Sequence, residues 1–272
     1  MCAIITSWTC SSEPRSPPSA CGWLRQPKSR NTLTEGPHDT ATGPWNEHPP
    51  AGRTLTYLLD FTDPLACDPS RTGGKGANLA LLTQRGFPVP PGTVIVLRAY
   101  RDFIRPAARL IESARSIPFD DPAALREHTL KLQEALGDLR LPNALASELD
   151  GFLRRESPGH AYSVRSSSSL EDMAQAAFAG QHETFLNCST LRDILEKTRL
   201  CYLSLWSDRA AAYRHKQGLD HAAAEMAVVV QRMARADAAG VGFSVNPVSG
   251  DLQELVFDAN FGLGESVVSG QS

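Results

Sequence analysis

Gly73-Gly74-Lys75-Gly76-Ala77-Asn78-Leu79 is the stretch that decides the reading of this chain, together with a later one, Tyr162-Ser163-Val164-Arg165-Ser166-Ser167-Ser168-Ser169. Paired glycines let the backbone approach a ligand closely. They precede a helix predicted over 75–84, with Leu79, Leu81 and Leu82 as its apolar face. The free N–H groups and dipole of a helix N-terminus favour an anion, and Lys75 adds a full positive charge. A plain glycine turn with a solvated lysine fits the same residues. In the second stretch a short strand is predicted over 162–165. It ends at Arg165, whose guanidinium fork suits phosphate oxygens, and passes into a polar loop. The hydroxyls with Glu171 and Asp172 suit a helix cap equally well. Phe178-Ala179-Gly180-Gln181-His182-Glu183-Thr184 then reads as a glycine turn with clustered polar side chains.

Around these motifs the pattern alternates between strands and helices. A β-type run covers 54–59. Gly86, Pro88, Pro90 and Pro91 end the helix that follows the glycine pair, and 93–97 is β-branched and strand-like. Helices are predicted over 99–113, 122–136 and 142–154, and one long amphipathic helix over 191–217, carrying Ile194, Leu195, Cys201, Leu205 and Trp206 near helical spacing. Three strands are predicted over 227–233, 240–245 and 254–259, with Gly250 in the turn between the last two.

The first 52 residues read differently. Eight prolines, many Ser and Thr, and no hydrophobic periodicity predict a disordered tail. Ala3-Ile4-Ile5 is too short for a secretory h-region. Across the 272 residues the formal net charge is −3, which argues against a general nucleic-acid binder. No apolar run reaches the roughly 20 residues of a membrane helix. The six cysteines form no C-x-x-C pair, which argues against a zinc ribbon or disulfide framework and favours a reducing, cytoplasmic setting. Familiar nucleotide loops fail as well. Pro69 stands where a Walker motif needs its first glycine and Gly76 where it needs Ser or Thr, while Val245 and Val267 interrupt the two candidate G-x-G-x-x-G runs.

Taken in order, the motifs resemble the N-terminal ATP-binding domain of the phosphoenolpyruvate synthase and pyruvate phosphate dikinase family, which includes rifampin phosphotransferase-like members. The matching pieces are the glycine-lysine stretch, Gly86-Phe-Pro-Val-Pro-Pro-Gly92, Val164-Arg165-Ser-Ser-Ser-Ser and Phe178 to Asn187. They continue with Ser204-Leu-Trp-Ser-Asp-Arg-Ala210, Val229-Val-Gln231-Arg-Met233, Ala239 to Pro247 and Gly262-Leu-Gly-Glu265. The resemblance implies an α+β, ATP-grasp-type nucleotide-binding fold. Its first part would run over 53–190 and its second over 191–272, with the second lobe incomplete. It implies that Lys75 and Arg165 hold phosphate oxygens and carry the catalysis. Gly180 and Thr184 would lie on the loop covering the phosphates, and Gln231 on the adenine side. ATP is the implied substrate and Mg2+ its metal, with the acidic metal ligands expected beyond residue 272 and no metal ligand assigned within the chain. A phosphohistidine carrier and an acceptor domain complete the family's enzymes. No histidine here lies in a Gly-Thr-His context, so both are expected outside this chain. The implied function is transfer of a phosphoryl group from ATP by a kinase-type phosphotransferase. The alternative is a catalytically inactive nucleotide-binding fragment or regulatory remnant.

Overall fold

A strand buried on both of its faces organises the larger part of the molecule. The structure is a computed structural model. It describes residues 3–8, 56–117, 119, 121–156, 158–168, 184–264 and 267, the first segment by its backbone. In chain order the elements are β1 (Ala3–Trp8), β2 (Leu58–Asp60), α1 (Pro69–Gln84), β3 (Gly92–Ile95), α2 (Leu97–Ile104), α3 (Ala108–Ser113), α4 (Pro122–Gly137) and α5 (Asn143–Arg155). They continue with β4 (Tyr162–Ser168), β5 (Thr184–Cys188), α6 (Leu191–Ser204), α7 (Asp208–Lys216), β6 (Met226–Arg232), β7 (Ala238–Phe243) and β8 (Val256–Phe261). This is an α+β chain. Its compact units are residues 54–234 and, separately, 1–53 with 235–272. Strand β6 is hydrogen-bonded into the sheet built by residues 58–188.

In the larger unit an antiparallel sheet runs β2-β3-β6-β4-β5. Side chains alternate across a strand, so Val228 and Val230 of β6 face one layer and Ala227 and Val229 the other. The first layer holds Ile95, Tyr100, Phe103, Leu136, Leu145, Leu149 and Tyr202. The second packs Leu59, Phe61, Val94 and Ala80 of α1. Val228, Val229 and Val230 are all fully buried. Each contributes about 1.5–3 kcal/mol relative to exposure.

Helix boundaries follow their capping residues. Asp121 accepts from the Ala123 and Ala124 amides ahead of α4, with Pro122 at its first position. Thr190 and Asp193 form a reciprocal capping box at α6. The long helix predicted over 191–217 is two helices. Ser207 caps α7 through the Ala210 amide and stops α6 from running on. The helix predicted over 99–113 is likewise α2, a 3-10 turn over Arg105–Ala107 and α3.

The smaller unit contains the antiparallel sheet β1-β7-β8, with Ala3 opposite Phe243 and Ala238 opposite Phe261. Of the tail read as disordered, only Ala3–Trp8 is described, and it is a strand where composition places none. Ile4, Ile5 and Thr6 supply the β-branched residues that favour one. The rest of that tail lies outside the described residues. Strands β7 and β8 are displaced by about two residues from the ranges read in the sequence, in opposite directions. Gly250 lies between them with φ of 74°, as expected for that turn.

One buried cation stands out in the larger unit. Arg214 is 1% exposed. Its Nη1 donates to the Leu205 carbonyl at 2.6 Å, its Nε donates to Nδ1 of His221 at 3.3 Å, and its guanidinium lies 5.1 Å from the Trp206 ring centroid. Burial first, then the charges of Arg214 and His215, push the His221 imidazole down to about 4, against a smaller opposing pull from Asp220. Between that value and the ordinary value near 6.5, the unfolded chain binds more protons than the folded one, so stability falls as pH falls through this window. The expected contribution is up to about 3 kcal/mol. Urea unfolding at steps from pH 7.5 to 4 should show it in the wild type, and the slope should be shallower in His221→Gln, which keeps an acceptor for Arg214 but cannot be protonated. Parallel slopes would contradict the assignment.

Candidate functional site

Helix α1 starts earlier than the sequence suggests. Asp68 caps it by accepting from the Ser70 amide at 2.9 Å, and Pro69 takes the first position. The glycine pair therefore lies inside the helix rather than before it. Gly73 breaks it, with φ 66° and ψ 171°, and a fresh helical turn begins at Gly74. The break faces β4. A Cβ on Gly73 would lie 2.3 Å from the Ser167 carbonyl oxygen and 2.6 Å from its Oγ. A Cβ on Gly76 would meet both Val94 methyl groups at 3.1 Å. Glycine at 73 serves both the left-handed φ and the contact of one backbone with another.

Strand β4 also differs from its expected course. It continues through Ser168 instead of giving way to a loop after Arg165, and Ser166, Ser167 and Ser168 are fully buried. Buried hydroxyls in a strand need partners. Ser167 Oγ donates to the Thr72 carbonyl at 2.8 Å and accepts from the Gly76 amide at 3.0 Å, while Ser168 Oγ donates to the Glu225 carbonyl at 3.3 Å. The polar run that reads as a loop in sequence is a strand in which neighbouring backbone satisfies the Ser167 and Ser168 hydroxyls, while the buried Ser166 Oγ has no hydrogen-bond partner among the described residues.

The sheet register brings several of the expected residues together. Arg165 pairs with Thr184 on β5 and with Val229 on β6. Paired residues project on the same side of the sheet, and Val229 faces the layer that holds α1. Arg165 is half-buried and Thr184 exposed. Lys75 reaches the same strand from above, its Nζ donating to the Ser166 carbonyl at 2.7 Å. Gln231 lies two residues along β6 from Val229, on that same face. It is 7% exposed, and its Nε2 donates to the Pro90 carbonyl at 3.0 Å. Gly180 lies outside the described residues. The face is divided: Leu59, Val94 and Val229 make one half apolar, and Ser163, Arg165, Ser167 and Thr184 make the other polar.

The apolar half is closed by α1, so what the face offers a ligand is its polar half, which suits an anion. A lysine ammonium and an arginine fork along one strand are chemically matched to a polyphosphate. Sequence reasoning did not single out Ser167 or the Thr72 carbonyl. The signal was present in the serine run directly after Arg165, but it fits a helix cap as readily. Among the described residues, no group of three or more His, Cys, Asp or Glu is placed to hold a metal ion, and no helix is long and apolar enough to cross a membrane.

Comparison with known proteins adds a family to this geometry. Residues 70–272 match the family model described as pyruvate phosphate dikinase, AMP/ATP-binding domain. The chain is 38% identical to a rifampicin phosphotransferase from Streptomyces sp. over 217 residues, covering 78% of this chain and 25% of the relative. It is 34% identical to a probable phosphoenolpyruvate synthase from Pyrococcus horikoshii over 238 residues, covering 73% of this chain and 29% of the relative. A phosphoenolpyruvate synthase from Pyrococcus furiosus is 33% identical with the same coverage. The chain thus spans about a quarter to a third of the length of these relatives.

The closeness at Gly73 carries a direct test. Gly73→Ala forces a Cβ into the Ser167 carbonyl and strains the left-handed φ, so unfolding free energy should drop by about 2 kcal/mol or more. Gly86→Ala, where a Cβ would meet nothing within 4 Å although φ is 80°, should cost less. Chemical denaturation of the two variants in parallel measures the difference, and equal losses would contradict the close packing of α1 on β4.

Proposed function

The chain belongs to the pyruvate phosphate dikinase AMP/ATP-binding domain family, and we propose that it binds ATP with the phosphates at the polar part of the sheet face, beside Lys75, Arg165 and Thr184, and serves the transfer of a phosphoryl group from that ATP. The observation that carries this reading is the meeting of Lys75, Arg165 and Thr184 on one face of the sheet, through the Lys75 bond to the Ser166 carbonyl and the Arg165–Thr184 pairing. Lys75 supplies a mobile point charge, Arg165 a planar fork for two oxygens, and Thr184 a hydroxyl. Gly180, which lies outside the described residues, is proposed on the family resemblance to help cover the phosphates. Gln231 has its amide nitrogen engaged with Pro90, and its carboxamide oxygen is the acceptor proposed for an adenine amino group.

An ATP-grasp arrangement is the fold that accommodates this placement, with the nucleotide held against an antiparallel sheet. Phosphoryl transfer depends chiefly on positioning and on neutralising charge on the transferred group, and two cations along one strand serve both. Magnesium takes much of its coordination from water and substrate phosphates, so we assign it to the ATP that arrives rather than to a cradle in these residues. The acceptor, such as the phosphoenolpyruvate-forming substrate or antibiotic hydroxyl suggested by the relatives' names, and any phosphohistidine relay, are proposed to be read by other domains. A cytoplasmic setting suits all of these partners.

A second reading is nucleotide binding without transfer, which the meeting of Lys75, Arg165 and Thr184 supports equally. Calorimetric titration of the 272-residue chain with ATP tests the common part of both. Lys75→Ala and Arg165→Ala should each weaken binding about 10- to 100-fold, the equivalent of losing a hydrogen bond to a charged group. Equal affinity in all three proteins would overturn the assignment. Chromatography of the nucleotide after incubation separates the two readings: ADP or AMP formation supports transfer, and intact ATP supports binding alone.

A further inference from the structure

Ser167 makes two hydrogen bonds to a single helix, one on either side of its break. Its Oγ donates to the Thr72 carbonyl at 2.8 Å, ahead of Gly73, and accepts from the Gly76 amide at 3.0 Å, beyond it. Lys75 lies between those two anchoring points, and its Nζ reaches the adjacent Ser166 carbonyl at 2.7 Å. Arg165 stands two residues before Ser167 on β4 and therefore on the same face. A glycine with φ of 66° is a soft joint, because glycine has many alternative conformations of similar energy. The lysine stem is flexible too. Where the ammonium can reach is therefore set by how firmly the backbone on both sides of the joint is held.

We propose that Ser167 is a positioning residue of the phosphate site: its hydroxyl clamps both sides of the α1 break to β4 and so fixes Lys75 relative to Arg165. The proposal rests on the ATP reading above and adds a residue that contributes through Lys75 rather than by touching the nucleotide. Its effect should be confined to the phosphate end of the ligand, leaving the base and sugar unaffected.

The test is calorimetric titration of the full chain with ATP and, separately, with adenosine. Ser167→Ala should weaken ATP binding about tenfold, on the scale of one lost charge-assisted contact, with adenosine affinity changed less than about twofold. Ser167→Cys, which keeps a weak donor and acceptor of similar size, should recover part of the loss. In a Lys75→Ala background, Ser167→Ala should add little further loss, because the residue it positions is gone. A merely structural serine would instead lower ATP and adenosine binding together, or its effect would multiply with that of Lys75→Ala; either result overturns the proposal. Should Ser167→Ala lose its cooperative melting transition, Ser167→Cys takes its place in each titration: a selective loss of ATP affinity supports the clamp, and a parallel loss of adenosine affinity overturns it. If the wild-type chain binds adenosine but ATP no more tightly, or binds neither, the nucleotide reading itself fails. If ATP binds tightly and Ser167→Ala binds it equally well, the clamp alone fails.

Discussion

Helix α1 meets strand β4 backbone to backbone, with no room for a side chain between them at Gly73. Much of the larger unit's working face depends on that contact. It sets how deeply α1 sits on the sheet, and hence that Ala80 lies in the apolar layer with Val94 and Val229. It also brings Lys75 to within hydrogen-bonding distance of β4. A helix with a larger residue at the joint would be lifted off the strand, and the apolar packing and the lysine placement would be lost together. Stability and ligand chemistry are thereby tied to one glycine.

The same face shows why a nucleotide suits it. Along the sheet from β2 to β5 the side chains under α1 change from Leu59, Val94 and Val229 to Arg165 and Thr184. The apolar half is needed for folding, since the second core layer forms there against α1. The polar half is not closed in the same way, because full desolvation of an arginine costs more than apolar packing returns. Arg165 accordingly stays half-buried. What the gradient leaves open to a ligand is its charged half, which suits the anionic end of a nucleotide.

How much of this was legible in the sequence depended on whether a residue's role was local. Asp121-Pro122 and Gly250 act within their own turns, and the corresponding helix start and turn are found where the sequence puts them. The apolar run of β6 reads correctly as a strand for a similar reason, since its β-branched residues favour one whatever its partners. Lys75 and Arg165 were identifiable as a pair through the order of motifs. Their meeting on one strand, with Thr184 opposite Arg165, is a matter of register, which no single segment encodes. Gly180 lies outside the described residues.

What the sequence hid is polar structure satisfied at long range. Ser166, Ser167 and Ser168 resemble a loop because serine usually bonds to its own nearby backbone and competes with regular structure. Here Ser167 and Ser168 bond to Thr72 and Glu225, residues far away along the chain, and the strand continues. Gly73 misled in the complementary way. A glycine pair before a helical pattern looks like a start, yet Asp68-Pro69 is the stronger start signal and the glycine is a joint within the helix. Both misreadings have one origin. The serine run needs distant backbone groups to remain a strand, and the glycine joint needs a strand to lie against. Each supplies what the other lacks, so neither can be read correctly until they are placed together.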